Sequence, residues 1–497
     1  MANRLETVAE FRAHYGPRYR WMLLLALMVG VIATVMSSTI VNVAIPALSA
    51  EFGLGQDRAQ WVSSGFMAAS TTTMLLTPWM LSRYGYRHTY LACNLLLLVG
   101  CLLGGFAGSF SLVLLARVIE GLASGVVGPL PAIVIMRAFE PHEQGRASGL
   151  FGMGVLVAPA LGPSLGGVLV DLFGWRATFF MFLPLCALSL LLGWRLVPNQ
   201  APGGVPANAQ AGVDWQGLLL ATLGTVLFLN GLVMLKSAAA HDTLLVMAAA
   251  VLALAAFVLW QHRQGRRPRP NREPLMNLAL YRHLPFAMGS LVGLCYGVSL
   301  FGSTYLLPLY LQAGMGLSPS YVGALMLPAG LILAGIVAFA GGMADRQPVH
   351  RLVSAGMGLL ALSFIAMVAS DQRSPLLLVV LITIVGRVGL GFVLPSLNLG
   401  AMRGLDRRLM SQGASTINFI RMLGGATGIS LCGVFLEWRL SAHHTGLALG
   451  TPEQVTARIA AFHETFVLLG AICLLSLFAA WRMRHAPGAP GPVRAQK

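Results

Sequence analysis

The chain has 497 residues, of which 56% are hydrophobic and only 10% are charged, and its formal net charge is +16 at pH 7. Soluble domains carry roughly a quarter charged residues, so this composition excludes an ordinary soluble protein and indicates a polytopic membrane protein. The positive charge does not indicate nucleic acid as a partner, because no basic helix and no alternation of aromatic and basic residues accompanies it.

Uncharged apolar runs of the length that crosses a bilayer recur along the chain. Splitting them at charged residues, glycine and proline predicts an all-α polytopic membrane protein with fourteen spans. The predicted spans are residues 21–46, 60–81, 89–108, 112–136, 147–170, 177–196, 215–235, 243–261, 284–312, 320–342, 352–370, 375–402, 411–437 and 464–481.

The distribution of basic residues predicts the orientation of these spans. With a cytoplasmic N-terminus, 24 of the 33 lysines and arginines fall in cytoplasmic loops and six in outer loops. This bias follows the positive-inside rule, and one span more or fewer would destroy it. The first twenty residues mix acids with arginines, unlike a cleaved signal peptide. We therefore predict a multi-pass protein of the inner (cytoplasmic) membrane with both termini cytoplasmic.

Two hydrophilic connections, residues 197–214 and 261–274, divide the spans into groups of six, two and six. A repeated six-helix half is typical of transporters that bind substrate near mid-membrane. The stretch 263–272 is rich in basic residues, which predicts that it contacts anionic lipid. The predicted regions are a cytoplasmic N-terminus (1–20), a first bundle (21–196), cytoplasmic linkers with two inserted helices (197–274), a second bundle (275–483) and a cytoplasmic tail (484–497).

Span one carries a polar stripe. Thr34, Ser38 and Asn42 follow one another at intervals of four residues, which places them on one helical face. A polar stripe on a helix of this length must face something other than lipid. We therefore predict that these three side chains line a cavity and contact substrate.

Span four carries the one acid that lies deep in a predicted span, Glu120. A charged side chain at the centre of a bilayer costs about 2.5–3.5 kcal/mol even on insertion scales, so Glu120 needs a partner. Arg117 lies three residues earlier, on the same helical face. Two interpretations stay open: a proton-carrying carboxylate that depends on Arg117 and on water access, or a permanent structural ion pair.

The second bundle offers further candidates for substrate contact. Span nine carries Tyr296 and Tyr305, which predict either an aromatic cavity or core packing. Spans twelve and thirteen carry Asn398, Asn418 and Arg421. For Arg387, in span twelve, and for Arg421, either a contact with an anion or a contact with a backbone carbonyl or a loop is expected.

Several function classes lack the residues that they require. Neither of the two lysines, Lys236 and Lys497, follows GxxxxG, so no Walker A loop exists and ATP-driven transport is excluded. The six cysteines form no CxxC pair, which argues against a disulfide framework or a zinc site. No constellation for catalysis is present, so we predict a non-enzyme without metal or cofactor, driven by a proton gradient.

Five motifs together resemble one known family. They are STIVNVAIP in span one, RYGYRH after span two, LLARVIEG in span four, APALGPSLGG in span five and GWRATFFMFLP at span six. The chain resembles the 14-span drug:H+ antiporter family of the major facilitator superfamily, the EmrB/QacA type, over nearly its whole length. The span-five motif is the most specific because it marks exporters.

The resemblance implies two six-helix bundles that rock around a central cavity, with two helices inserted between them. It implies proton-driven export of hydrophobic or amphipathic compounds such as drugs, with Arg117 taking part in proton transfer. The alternative is a metabolite, lipid or siderophore exporter, or an uptake symporter, of the same fold. Some members work with a periplasmic adaptor and an outer-membrane channel. The conformational motifs would comprise Arg83, Gly85, Arg87, Gly154, Pro159, Gly162, Pro163, Gly166, Gly167, Asp345 and Arg346.

The chain departs from the family pattern at informative positions. Ser37 stands where relatives commonly hold an acid in span one, and Ser82 stands where the loop after span two holds an aspartate. Glu120 stands at the usual glutamine of the span-four motif. These differences move the predicted proton-carrying role from span one to Glu120.

Overall fold

The computed structural model describes residues 6–54, 56–59, 61–200, 210–235, 240–266, 274–406, 408–446 and 451–484. Within these ranges the protein is helical and contains no strand. The helices are α1 (Val8–Tyr15), α2 (Tyr19–Val43), α3 (Ile45–Phe52), α4 (Gln56–Ala59), α5 (Trp61–Met74), α6 (Thr77–Gly105), α7 (Phe110–Val127), α8 (Leu130–Ala138), α9 (Gln144–Phe173), α10 (Ala177–Phe180), α11 (Leu183–Leu196), α12 (Trp215–Met234), α13 (Ala240–Arg266), α14 (Leu284–Leu309), α15 (Pro319–Ala344), α16 (Val349–Ala366), α17 (Leu376–Met402), α18 (Met410–Ala442) and α19 (Pro452–Arg482).

Twelve helical segments of the described chain are long and apolar enough to cross a membrane, which makes this a multi-pass membrane protein. They are Tyr19–Val41, Thr77–Gly105, Phe110–Ala138, Ala177–Leu196, Trp215–Met234, His241–Arg266, Leu284–Gly314, Tyr321–Ala344, Val349–Ala369, Leu376–Met402, Met410–Ala442 and Glu453–Arg482. Most begin and end within several residues of a predicted span.

The other two predicted spans coincide with α5 and α9. Helix α5 has 14 residues, and a short turn joins it to the first residues of α6. Helix α9 has 30 residues, although the side chains of 158–164 lie outside the described part. The fourteen-span count and the cytoplasmic placement of both termini stay predictions.

Gly85 separates two helical stretches within α6. Its φ of 79° and ψ of 176° are not helical, and this φ lies in the region that favours glycine. A Cβ atom at Gly85 would also lie 2.5 Å from the carbonyl oxygen of Asn199. The chain therefore turns inside the predicted RYGYRH loop.

The structure adds helical segments outside the predicted spans, near the C-terminal end and near the N-terminus. Residues 439–462 lie between the last two predicted spans, yet most of those that the structure describes are helical, because α18 continues to Ala442 and α19 begins at Pro452 instead of near residue 464. Thr451 and Gln454 form a capping box that starts α19 early. Residues 1–20, predicted only as a cytoplasmic segment, contain α1, which a second capping box starts at Thr7.

The helices pack as two groups. In the N-terminal bundle, α2 packs on α9 and α7 packs between α5 and α6. In the C-terminal bundle, α14 packs on α18 and α19, and α16 packs on α17 and α19. The bundles meet where α9 packs along α15. Residues 267–273, which include most of the predicted lipid-binding stretch 263–272, lie outside the described chain.

Candidate functional site

The interior of the N-terminal bundle contains a buried ion pair. Arg117 and Glu120 lie on α7, and both side chains are 0% exposed. Nη1 of Arg117 lies 2.5 Å from Oε2 of Glu120. The i, i+3 spacing on one helix brings the two groups together, as the sequence predicts.

Two neighbouring helices, α2 and α5, hold this pair in place. On α2, Ser37 donates its hydroxyl proton to Oε2 of Glu120 at 2.9 Å, and Arg117 Nη1 lies 3.0 Å from the same hydroxyl oxygen. On α5, the carbonyl of Val62 accepts from Nε of Arg117 at 3.1 Å, and the guanidinium lies 4.4 Å from the ring centroid of Phe66. The pair therefore couples α7 to both α2 and α5.

Two polar atoms of the pair have no hydrogen-bond partner among the described residues, Nη2 of Arg117 and Oε1 of Glu120. The thiol of Cys101 on α6 lies beside Glu120. A Cβ atom at Gly100 would lie 2.7 Å from Cγ of Glu120, so this glycine makes room for the carboxylate. An unsatisfied carboxylate oxygen inside a membrane protein is costly.

Ser37 bonds to a residue of another helix, whereas the described hydroxyls of the predicted polar stripe bond within α2. The Thr34 hydroxyl bonds to the carbonyl of Val31, and the Ser38 hydroxyl bonds to that of Val35. Thr34 is buried and Ser38 is half-buried. The side chain of Asn42 lies outside the described part of the chain. A role in substrate contact stays a prediction for all three.

The predicted substrate residues of the C-terminal bundle form a second group. Arg421 and Asn418 lie on α18, and Nη2 of Arg421 donates to Oδ1 of Asn418 at 2.6 Å. Tyr296 on α14 is fully buried, whereas Tyr305 and Asn398 are half-buried. Within the described chain, no hydrogen bond or ion pair joins this group to Glu120.

The predicted RYGYRH motif contacts the linker that follows α11. Nη1 of Arg83 donates to the carbonyl of Ala211 at 2.8 Å, and Nε of Arg87 donates to that of Val197 at 2.7 Å. The backbone N–H of Tyr86, next to Gly85, donates to the carbonyl of Asn199. These bonds fix the linker against the end of the N-terminal bundle.

Asp345 links the two bundles at the predicted cytoplasmic face. It follows α15, and its carboxylate accepts the backbone N–H groups of Gly145 and Arg146 at 2.6 and 2.8 Å. These donors lie in the first turn of α9, where a negative charge is favoured. Burial raises the pKa of Asp345, and the two backbone hydrogen bonds oppose this effect. The neighbouring Arg346 is exposed.

The span-five glycines that the structure describes have different surroundings. A Cβ atom at Gly154 would meet Cε of Met28 at 2.4 Å, and one at Gly166 would lie 3.2 Å from the carbonyl oxygen of Ile40. Gly167 has open space around it. The side chains of Pro159, Gly162 and Pro163 lie outside the described residues.

Sequence reasoning treated Ser37 as the place of a missing acid and did not identify it as a partner of Glu120. It also missed Val62, Phe66 and Cys101, because ordinary apolar residues carry no local signal of a charge contact. The joint departure from the family pattern at Ser37 and Glu120 is the one signal that could have indicated a shared site.

The comparisons with known proteins define the class to which this fold belongs. Residues 27–429 match the model of the Major Facilitator Superfamily. The chain aligns with the human organic anion transporter MFSD10 at a TM-score of 0.63 and 15% identity, over 93% of this chain and 99% of that one. At this identity, the likeness shows the fold alone. The chain belongs to the Major Facilitator Superfamily and is a transporter by family.

Among its curated relatives, the chain is 30% identical to a multidrug resistance protein B homolog of Mycobacterium tuberculosis, over 83% of this chain and 76% of the relative. It is 27% identical to the multidrug export protein EmrB of Haemophilus influenzae, over 86% and 82%. It is also 23% identical to the riboflavin transporter RibZ of Clostridioides difficile, over 93% and 96%. The resemblance to the EmrB type is thereby confirmed.

Proposed function

We propose that this protein is a proton-coupled antiporter that exports hydrophobic or amphipathic compounds, such as drugs, by alternating access. The observation that carries the proposal is the buried Glu120, which bonds to Arg117 and Ser37 and keeps one oxygen without a partner. An ionisable group inside the membrane is by default a candidate for ion coupling.

Protonation of Glu120 changes the contacts between helices. As a carboxylate, Glu120 pairs with Arg117 and accepts from Ser37 on α2. Once protonated, it no longer balances the guanidinium charge and is a weaker acceptor for Ser37, so the contact that joins α7 to α2 weakens. Proton uptake from outside and release inside would then alternate with two packings of the N-terminal bundle, which is the requirement for coupling.

The relatives support the export of lipophilic cargo, because two of them carry names that specify multidrug resistance or export. The riboflavin transporter supports the second candidate, a transporter of a physiological metabolite or lipid. In that case the fold and the proton site remain, and the cargo or the direction differs.

Transport in vesicles of known orientation separates these functions. Substrates are first identified by a resistance screen of overexpressing cells. Purified protein is then placed in proteoliposomes loaded with such a compound, and an acid-outside pH gradient is imposed. We expect the gradient to accelerate loss of the compound several-fold and a protonophore to abolish the effect. Gradient-driven accumulation would instead identify an uptake symporter. Export without added proteins would show that no adaptor or channel is required for this step.

A further inference from the structure

Two arginines inside the C-terminal bundle lack a negative partner. Arg387 lies near the middle of α17, and Arg421 lies near the middle of α18. Helices α14 to α17 contain no Asp or Glu, and the one acid of α18, Glu437, is exposed. Of the two acids of α19, Glu453 is exposed and Glu464 pairs with Arg439. Arg421 bonds to the neutral side chain of Asn418. Among the described residues, no hydrogen bond or ion pair reaches the guanidinium of Arg387.

The two halves of the molecule differ in this respect. Glu120 follows Arg117 by three residues and neutralises it. At the same spacing after Arg387 the chain has Leu390. The N-terminal bundle thus balances its deep arginine, whereas the C-terminal bundle holds two positive charges in surplus. Charges inside membrane proteins are normally paired or face a water-filled cavity, so this surplus leaves the two arginines available to an anion.

Tyr296 on α14 offers an unused donor near these arginines. Its side chain is fully buried, its hydroxyl has no hydrogen-bond partner among the described residues, and it interacts electrostatically with both Arg387 and Arg421. The adjacent Gly297 brings α14 against α18, since a Cβ atom there would lie 2.2 Å from the carbonyl oxygen of Arg421.

Arg387 also borders a small cavity of about 20 Å³, which has room for about one water molecule. Apolar side chains, including those of Leu360 and Phe466, line most of it, and Ser303 and Thr383 contribute hydroxyl groups. The charged end of Arg387 therefore adjoins space that is mostly apolar.

We propose that Arg387, Arg421 and the hydroxyl of Tyr296 bind the carboxylate of an amphipathic substrate. The inference rests on the proposed function and specifies its substrate class. Guanidinium groups match a carboxylate in charge and in planar geometry, and charge-assisted hydrogen bonds are about twice as strong as neutral ones. The surrounding apolar side chains suit the hydrocarbon part of such a molecule.

Two fluorescent probes that differ only in the head group test this site. Pyrenebutanoate carries a carboxylate, and pyrenebutanamide is its neutral analogue. Binding is measured by energy transfer from tryptophan, with the protein in nanodiscs of phosphatidylcholine, so that no anionic lipid competes. We expect the wild-type protein to bind the carboxylate at least about tenfold more tightly than the amide, since one charged hydrogen bond contributes about 1.5–3 kcal/mol.

Variants assign the preference to individual residues. Arg387→Gln and Arg421→Gln should each weaken carboxylate binding about tenfold and leave amide binding within about twofold, which also shows that the variants are folded. Arg421→Lys should retain part of the preference, and Tyr296→Phe should weaken carboxylate binding several-fold. Arg373→Gln, an exposed position of the same bundle, is the matched control and should change neither affinity.

Equal wild-type affinities for the two probes would overturn the anion site, and so would unchanged carboxylate binding in both Arg→Gln variants. Export of the amide by an acid-outside gradient is measured in parallel. Gradient-driven export without carboxylate preference would refute the anion site and leave the proposed exporter intact. Carboxylate preference without gradient-driven transport would refute the exporter and leave the anion site intact.

Discussion

Ser37 and Glu120 occupy one site from two helices. The Ser37 hydroxyl oxygen lies 2.9 Å from Oε2 of Glu120 and 3.0 Å from Nη1 of Arg117. A carboxylate carried by α2 at position 37 would therefore reach the same guanidinium that the Glu120 carboxylate contacts. The acid can be supplied by either helix, and in this chain α7 supplies it.

This geometry predicts that a carboxylate at position 37 of α2 can replace the carboxylate of Glu120 on α7. Glu120→Gln leaves Arg117 buried without a counter-charge and should lower the melting temperature, because breaking a buried ion pair costs about 3–5 kcal/mol. The double variant Ser37→Asp, Glu120→Gln should recover most of the melting temperature and part of the gradient-driven transport. Ser37→Thr, Glu120→Gln is the control without a carboxylate. Equal melting and transport in both double variants would contradict a shared site.

Some contacts of single residues could be predicted from the sequence, and others could not. The spacing of Arg117 and Glu120 on one helix predicted their contact correctly, because an i, i+3 pair depends on local geometry alone. The contact with Ser37 depends on how α2 and α7 pack, which no local pattern determines. For the same reason, the orphaned hydroxyl of Tyr296 could not be foreseen.

At the scale of helices, the closest inter-bundle packing lies between α9 and α15 near Asp345. A Cβ atom at Gly341 would lie 2.4 Å from the carbonyl oxygen of Gly145 and 2.4 Å from Cα of Gly149. Contacts this short with backbone atoms leave no room for a side chain. Both helices carry glycine at this contact, and this allows the two bundles to approach each other so closely.

Gly341→Ala should prevent this approach and open the predicted cytoplasmic side. Spin labels at the exposed positions His142 and Gln347, one on each bundle, would report a longer mean distance in the variant than in the parent protein. Gly342→Ala is a close control, because a Cβ atom there meets nothing within 4 Å. An unchanged distance distribution in Gly341→Ala would show that this packing does not hold the bundles together.

Helix existence was more predictable than helix ends. Long apolar runs predicted the membrane-spanning helices because hydrophobic length is a property of the sequence itself. The early start of α19 depends on the Thr451 capping box. The spans were predicted from uncharged apolar runs, and a capping box is not part of that pattern. The turn between α5 and α6 was likewise hidden within one apolar run.

At the scale of the whole molecule, the two bundles differ in charge. The N-terminal bundle holds an arginine that Glu120 neutralises, and in the described part of the C-terminal bundle no carboxylate pairs with Arg387 or Arg421. A proton site in one half and a substrate site in the other would let each ligand bias the packing between halves. Membership of the family establishes the transporter fold. The hypothesis that one half binds protons and the other binds substrate rests on the site residues.

Substrate-induced proton movement tests the coupling most directly. Proteoliposomes with a pH-sensitive dye inside receive an exported compound, and the dye reports protons that move as the compound is transported. The wild-type protein should move protons, Glu120→Asp should do so more slowly, and Glu120→Gln should bind the compound but move none. Proton movement by Glu120→Gln at the wild-type rate would contradict the account.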